Sequence, residues 1–402
     1  MKLRPPLVVL HRWFGLAAAL FLFISGLTGA LISWDHELDA WLNPQLFHAA
    51  SGTQQQPAHA RSGLELASLV EAQDRRVRVN YTLTALEPGH TALMSVEGRL
   101  DPATGKPHDL GYNQVAVDPV TGIVQGKRQW GEVSLARENL LPFLYKLHYT
   151  MHIPDGWGIQ FGVWLMGIIG IVWFFDCFIA LYLSFPKLRS WRKSLAFRWQ
   201  DKGHKLNFDL HRSGGVWVWL LLLILAVTSI SMNLQTQVMR PLVAKFSTLS
   251  PNAFDSRTPQ PPEKPVEPLL TREQAVALAK TEAAKRGWTL PAGGVFYSSG
   301  YGLYGVGFFE ADNDHGDGGL GNAWLYFDGR DGSPAGGVIP GTGSAGDIFL
   351  QAQFPLHSGR ILGLPGRIMI SAMGLMVAML SATGLIIWLR KRRARTLKAI
   401  QL

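Results

Sequence analysis

The chain has 402 residues, 47% of them apolar, with 14 tryptophans and a formal net charge of +9. This is too apolar for an ordinary soluble domain of its length and too polar for a chain wholly embedded in lipid, so both simple classes are excluded and a mixed membrane protein remains. The single cysteine, Cys177, stands in an apolar run and excludes an internal disulfide.

In chain order, four stretches are long and apolar enough to cross a hydrocarbon core about 30 Å thick, which takes roughly 20 helical residues. They are residues 7–34, 159–185, 215–234 and 364–389. The first follows Lys2 and Arg4 but exceeds the apolar length of a signal peptide and lacks a small-residue cleavage site after it, so it reads as a retained membrane helix. The connection 186–212 and the tail 390–402 are rich in Lys and Arg, which places both, and both termini, in the cytoplasm. By contrast, residues 35–146 hold 10 basic against 13 acidic residues and residues 235–346 hold 9 against 11. Those segments belong on the opposite side. The excess positive charge thus reports topology, and no nucleic acid partner is expected.

Each exported segment predicts one helix followed by short strands. The first shows a helix near residues 64–72 and strands near 77–83, 92–96 and 114–117. In the second, Thr271 is an expected N-cap for a helix ending at Gly287, and strands are expected at 295–297, 306–309 and 323–327. Both end on glycine-containing turns, at residues 118–122 and 328–332. The proline-rich stretch 251–268 reads as a linker. Tyr297, Tyr301, Tyr304, Phe308 and Phe309 are expected mostly in buried strand packing, with cleft lining as the other possibility.

These parallels extend to the membrane helices. Residues 11–28 laid on 211–228 without gaps match His11 with His211, Arg12 with Arg212, Gly15 with Gly215 and Thr28 with Thr228. His148 follows Asp118 by 30 residues, and His357 follows Asp328 by 29. The chain therefore reads as a tandem duplication in which helix, exported segment and helix occur twice.

The duplication puts one histidine beside each membrane helix. His11 and His211 fall at the cytoplasmic entrances of the first and third, and His148 and His357 precede the second and fourth on the exported side. A haem in a helical bundle needs two facing imidazoles, and this pattern offers one pair per membrane face. With no C-x-x-C-H motif, the haem would be b-type. An interfacial histidine can equally anchor or cap a helix, and it is the fourfold match that favours ligation. His152, four residues after His148, is an alternative ligand; His204 competes with His211. His36, His48, His59, His90, His108 and His315 read as solvated. Arg12, Arg212, Arg360 and Arg367 are candidates for haem propionates, with positive-inside anchoring an equal explanation for Arg12 and Arg212. Asp176, a carboxylate inside a membrane helix, is expected to orient a cytoplasmic-side histidine or relay a proton. Trp13, Trp34, Trp157, Trp191 and Trp388 read as interfacial belt residues.

His11-Arg-Trp-Phe-Gly15 with Thr28-Gly29, Leu147-His148, His211-Arg212 with Gly214-Gly215, and Leu356-His357-Ser-Gly359 together resemble the PepSY-associated transmembrane family of iron-regulated membrane proteins. The resemblance spans nearly the full chain. It implies an integral membrane four-transmembrane-helix bundle with two periplasmic α+β PepSY-like domains, at residues 35–146 and 235–355. The branch it is most similar to implies a bacterial inner-membrane oxidoreductase with two haem b groups. Such a protein passes electrons to a ferric siderophore in the periplasm and draws them from an external donor such as quinol. No flavin or nicotinamide fingerprint and no catalytic triad is present. Two alternatives stay open: a conduit to another periplasmic acceptor, or a haem-free binding or regulatory module.

Overall fold

The computed structural model describes residues 3–52, 60–187, 189 and 191–400; His59 lies outside them. The first half of the chain forms helices α1 (Arg4–Ile32), α2 (Asp35–Leu42), α3 (Pro44–Phe47) and α4 (Gly63–Gln73), then strands β1 (Val77–Leu83), β2 (Ala92–Gly98), β3 (Gln114–Val117) and β4 (Val124–Arg128). Helices α5 (Leu140–Thr150), α6 (Phe161–Ser184), α7 (Trp191–Leu195), α8 (His204–Trp217), α9 (Trp219–Asn233) and α10 (Arg240–Val243) follow. The last third contains α11 (Arg272–Lys285), β5 (Ala292–Ser298), β6 (Leu303–Phe308), β7 (Ala323–Asp328), β8 (Pro334–Val338), α12 (Ala345–Gln351), α13 (Gln353–Ser358) and α14 (Leu364–Ile400). The chain divides into a helical unit, Met1–Trp34, Leu144–Ser247 and Ala352–Leu402, and a sheet unit, Asp35–Phe143 and Thr248–Gln351.

In the helical unit, α1 has 29 residues and α6 has 24. At 1.5 Å per residue they measure about 44 and 36 Å, more than the hydrocarbon thickness. With α14 they are long and apolar enough to span. The expected third span at 215–234 is instead broken: α8 and α9 meet at Val218 (φ −106°, ψ 12°) and are bent by 72°. Two features of the sequence account for the break. Gly214 and Gly215 weaken the last turn of α8. Before them, α8 carries Lys205, Asn207, Asp209, His211 and Arg212, a charged and polar surface that α9, with no Asp, Glu, Lys or Arg, does not continue. Counting the bent pair as one crossing, four spans are available.

Small residues set the helix contacts. A Cβ on Gly26 would lie 2.5 Å from the Gly374 carbonyl, and one on Gly374 would lie 2.4 Å from that of Gly26, so α1 and α14 approach closely only because both positions are bare. Gly167 and Gly170 likewise admit Leu234 and Ile230 against α6. Cys177, Leu222, Leu225, Met373 and Val377 fill the centre. Outward lie Leu20, Phe175, Leu220 and Leu375, each more than half exposed in the isolated chain. An apolar exterior of this extent is a liability in water and a requirement in lipid.

The sheet unit contains both segments expected as PepSY-like domains. The two segments form one antiparallel sheet of eight strands in the order β4-β3-β2-β1-β5-β6-β7-β8. The halves join where β1 pairs with β5, with Tyr81 opposite Phe296 and Leu83 opposite Gly294. Each half carries a helix packed on its core, and in the first half Leu46 and Phe47 of α3 pack on Ala116 as well. Leu66, Ala67 and Val70 of α4 pack on Val77, Val79 and Met94; Ala275, Val276, Ala279 and Ala283 of α11 pack on Val295, Tyr297 and Val306. Both helices start on capping boxes, Ser62 with Glu65 and Thr271 with Gln274. Edge strands β4 and β8 were not read from the sequence: Val-Gln-Gly-Lys-Arg and Pro-Ala-Gly-Gly-Val lack apolar alternation, as befits edges that must resist further pairing.

The stretch 251–268 is not a free linker. The Gln260 and Val266 amides donate to the Gly300 and Ser299 carbonyls (2.7 and 2.8 Å), and the Tyr297 hydroxyl donates to the Val266 carbonyl (2.6 Å). The Phe254 ring packs on Phe296, Tyr301 and Tyr326. Its prolines restrict the backbone φ in advance of this docking. Tyr297, Tyr304, Phe308 and Phe309 are buried, as strand packing requires.

Candidate functional site

The helical unit brings the four repeat-related histidines together as two pairs. His11 on α1 and His211 on α8 have ring centroids 6.1 Å apart, and His148 on α5 and His357 on α13 have theirs 6.0 Å apart. His148 packs beside Thr28 and Gly29, near the far end of α1 from His11. Along α1 the 17 residues from His11 to Thr28 correspond to about 26 Å, so the pairs occupy opposite ends of the helices.

Every Nδ1 in the two pairs is engaged. His11 Nδ1 donates to Asp176 on α6, at 2.8 and 3.0 Å from its two oxygens. His211 Nδ1 lies 3.0 Å from the Leu380 carbonyl and 3.2 Å from Thr383 Oγ1. His148 Nδ1 is 3.1 Å from Thr28 Oγ1, and His357 Nδ1 is 2.9 Å from Thr228 Oγ1. Each of these threonine hydroxyls already donates to the carbonyl four residues back, Ile24, Ile224 or Met379, so it receives the imidazole N–H as acceptor. The tautomer is thereby set, with the proton on Nδ1 and the ring lone pair on Nε2 in all four rings.

The ring separation bears on what each pair can hold. A direct hydrogen bond between two imidazoles holds their centroids roughly 5 Å apart. Two metal–nitrogen bonds of about 2 Å on either side of one ion hold them roughly 6 Å apart. The observed values match the second. Among the described residues no group of three or more His, Cys, Asp or Glu could hold a bare metal ion. Two facing imidazoles without further protein ligands would suit a metal whose remaining positions a macrocycle fills.

Glycine seats two of the rings. A Cβ on Gly29 would meet His148 Cε1 at 2.9 Å, and one on Gly384 would meet His211 Cε1 at 2.9 Å. One turn beyond His11, a Cβ at Gly15 would meet nothing within 4 Å, and one turn beyond His211, a Cβ at Gly215 would meet only Leu380 at 3.7 Å. Of the two His-Arg-x-x-Gly motifs, the first thus has open space at its glycine and the second an ordinary contact with Leu380.

The arginines differ in their partners. Arg12 and Arg212 each bury an Nε that has no hydrogen-bond partner among the described residues. Elsewhere on the same side chains, the Arg12 guanidinium lies over Trp13, and Arg212 Nη2 bonds the Lys193 carbonyl and lies 3.6 Å from Asp209. A buried N–H without an acceptor, at repeat-related positions next to the paired histidines, fits an anionic carboxylate brought by a ligand. Arg360 and Arg367 are both buried. Arg367 Nε donates to the Ser33 carbonyl (2.9 Å) and its guanidinium covers the Trp34 ring at 4.6 Å.

Other sequence candidates fall elsewhere. His152 does not share a helical face with His148, because α5 ends at Thr150 and Met151 and His152 both take left-handed backbone angles (φ 53° and 52°). His204 stacks on Phe208. Trp13, Trp157 and Trp191 are exposed, as belt residues require, whereas Trp34 also donates to Ser371. In the sheet unit, His48 faces His90 and His36 faces His315, contacts that the reading of these residues as merely solvated did not foresee. Thr383 and Gly384 were missed altogether, whereas the ungapped match of Thr28 with Thr228 already pointed to two of the acceptors.

Comparison with known proteins agrees with the pattern. The model of the PepSY-associated TM region matches residues 8–391, so this chain belongs to that family and is a multi-pass membrane protein. No curated protein matches it.

Proposed function

We propose that this PepSY-associated membrane protein is a bacterial inner-membrane oxidoreductase that holds two haem b groups and reduces ferric siderophores in the periplasm. The observation that carries the reading is the pair of histidine pairs, each with centroids about 6 Å apart and every Nδ1 occupied. Bound there, haem supplies one-electron transfer across the membrane. His11 with His211, and His148 with His357, would hold the two groups through their imidazoles; Asp176, Thr28, Thr228 and Thr383 keep each ring in one tautomer. Arg12 and Arg212 would pair with the carboxylates of one group, with Arg360 and Arg367 as the corresponding candidates at the other end. The apolar centre around Cys177, Leu222 and Met373 keeps water from the space between the pairs.

The charge asymmetry of the sequence sets the orientation, with both termini and residues 186–212 cytoplasmic and the sheet unit periplasmic. The ferric ion of the chelate gains one electron, supplied by an external donor of the quinol class. As the ferrous ion it binds hard oxygen ligands less well and is released. No proton transfer or nucleophile on the protein is required.

The test is the absorption spectrum of the purified chain, followed by anaerobic mixing of the reduced protein with ferric siderophores. Soret and α bands of two b-type haems, and their reoxidation by the chelate, are expected. Absence of haem removes the reading in favour of a binding or regulatory module. Haem that no chelate reoxidises transfers it to a conduit with another periplasmic acceptor.

A further inference from the structure

The two histidine pairs are built alike but are not electrostatically equal. Three of the four imidazoles give their Nδ1 proton to neutral oxygens: His148 to Thr28, His357 to Thr228, and His211 to Leu380 and Thr383. Only His11 gives it to a carboxylate, and it reaches both oxygens of Asp176. Opposite His11, Asp176 on α6 takes the part that Thr383 on α14 takes opposite His211. The duplication therefore kept the contact and changed the charge at one position of four.

A carboxylate within a membrane helix is costly unless it is paired, so its retention at this contact calls for a role. Its effect on an imidazole is known in direction. By drawing the Nδ1 proton toward itself, a carboxylate makes Nε2 a stronger electron donor to a metal than a hydroxyl or carbonyl acceptor does. Its negative charge also favours the ferric, more positive state of a neighbouring iron. Both effects lower the reduction potential at one pair. The other pair, roughly 26 Å away along α1, is beyond the reach of the hydrogen bond.

Resting on the haem reading above, we propose that Asp176 is a positioning residue that makes the two sites unequal in potential. It holds the His11–His211 site lower than the His148–His357 site, so that electrons run from the first to the second. With the orientation given above, this direction is outward, from the cytoplasmic face to the periplasmic one. One electron leaves the external donor and one arrives at the ferric acceptor, and Asp176 itself is neither oxidised nor reduced.

The test is a potentiometric titration of the full-length protein, wild type against Asp176→Asn. The amide retains an oxygen acceptor of similar shape but removes the charge. One of the two midpoints is expected to rise by about tenfold in the reduction equilibrium constant, about 59 mV for a one-electron couple, while the other stays in place. Asp176→Glu should restore it. Repeating the titration in a His357→Ala background, which leaves only the His11–His211 site, should show the shift in the haem that remains. Two loaded haems whose midpoints do not move, or a midpoint that falls, would overturn the proposal. If Asp176→Asn does not retain haem, Thr228→Asp decides the matter: a carboxylate beside His357 should lower the other midpoint, and an unchanged value refutes the idea. Wild-type protein without haem would instead overturn the underlying reading.

Discussion

Gly29→Ala separates a histidine seated for a metal from one that merely packs. The added Cβ would stand 2.9 Å from His148 Cε1 and 3.4 Å from Nδ1. Carbon contacts are comfortable at about 3.5 Å and beyond, so the ring must retreat by roughly 0.6 Å. Retreat along that direction stretches the 3.1 Å contact with Thr28 Oγ1 past hydrogen-bond range. A lost hydrogen bond costs about 1 kcal/mol, and overpacking adds about 1–3 kcal/mol. A seated imidazole is thus disfavoured by about 2–4 kcal/mol, or roughly 30- to 900-fold in affinity for whatever it ligates. An unliganded ring can swing aside, and alanine for glycine within a helix is itself favourable by about 1 kcal/mol. The haem-free protein should therefore unfold at the same temperature or slightly higher. The measurement is the haem-to-protein ratio from the pyridine haemochrome, with thermal unfolding of the haem-free form alongside. One haem per chain is expected in place of two. Two haems with unchanged midpoints would refute the seating argument.

The remaining expectations follow from the same geometry. Gly384→Ala, where the added Cβ meets His211 Cε1 at 2.9 Å, should remove the other haem and spare the first. Alanine at His148 or His357 should abolish one haem and alanine at His11 or His211 the other, read from the difference spectrum; loss of both or neither would break the pairing. Arg128 and Asp39 form a buried ion pair at 2.6 Å, so Arg128→Met, leaving the carboxylate behind, should destabilise the protein by about 3–5 kcal/mol in denaturant unfolding. Burial alone would raise the Asp328 carboxyl, but the Arg330 amide at 2.7 Å and the Arg257 guanidinium at 2.7 Å outweigh it and hold the group below its usual range. A depressed carboxyl stabilises the fold above its unfolded value near 4, and the contribution is lost as pH falls through the folded value. Asp328→Asn should accordingly cost about 1–3 kcal/mol at neutral pH, a deficit that shrinks below about pH 4 in pH-dependent unfolding.

Some of this was legible in one dimension. His11 with His211 and His148 with His357 could be assigned to common membrane faces because each stands at a fixed distance from an apolar stretch and the repeat sets them in register. The helix at Thr271 was readable from its N-cap threonine and its Gly287 stop, and the turns at Asp118 and Asp328 from their glycines. Asp176 was placed at its depth, but its partner was open. A helix sequence gives position along the axis, whereas which face of α6 meets α1 depends on how the glycine contacts let the helices rotate and approach.

Length, hydropathy, charge bias and duplication are properties of local composition and spacing, so the sequence by itself determined the membrane class, the repeat and the position of each histidine relative to an apolar stretch. The tertiary structure alone decided the bend at Val218, the joining of β1 to β5 into one sheet, the docking of residues 251–268, and the contact of Asp176 with His11. Those outcomes depend on pairs of surfaces far apart in the chain. Their energies arise only when two elements meet, and neither element's own periodicity contains them.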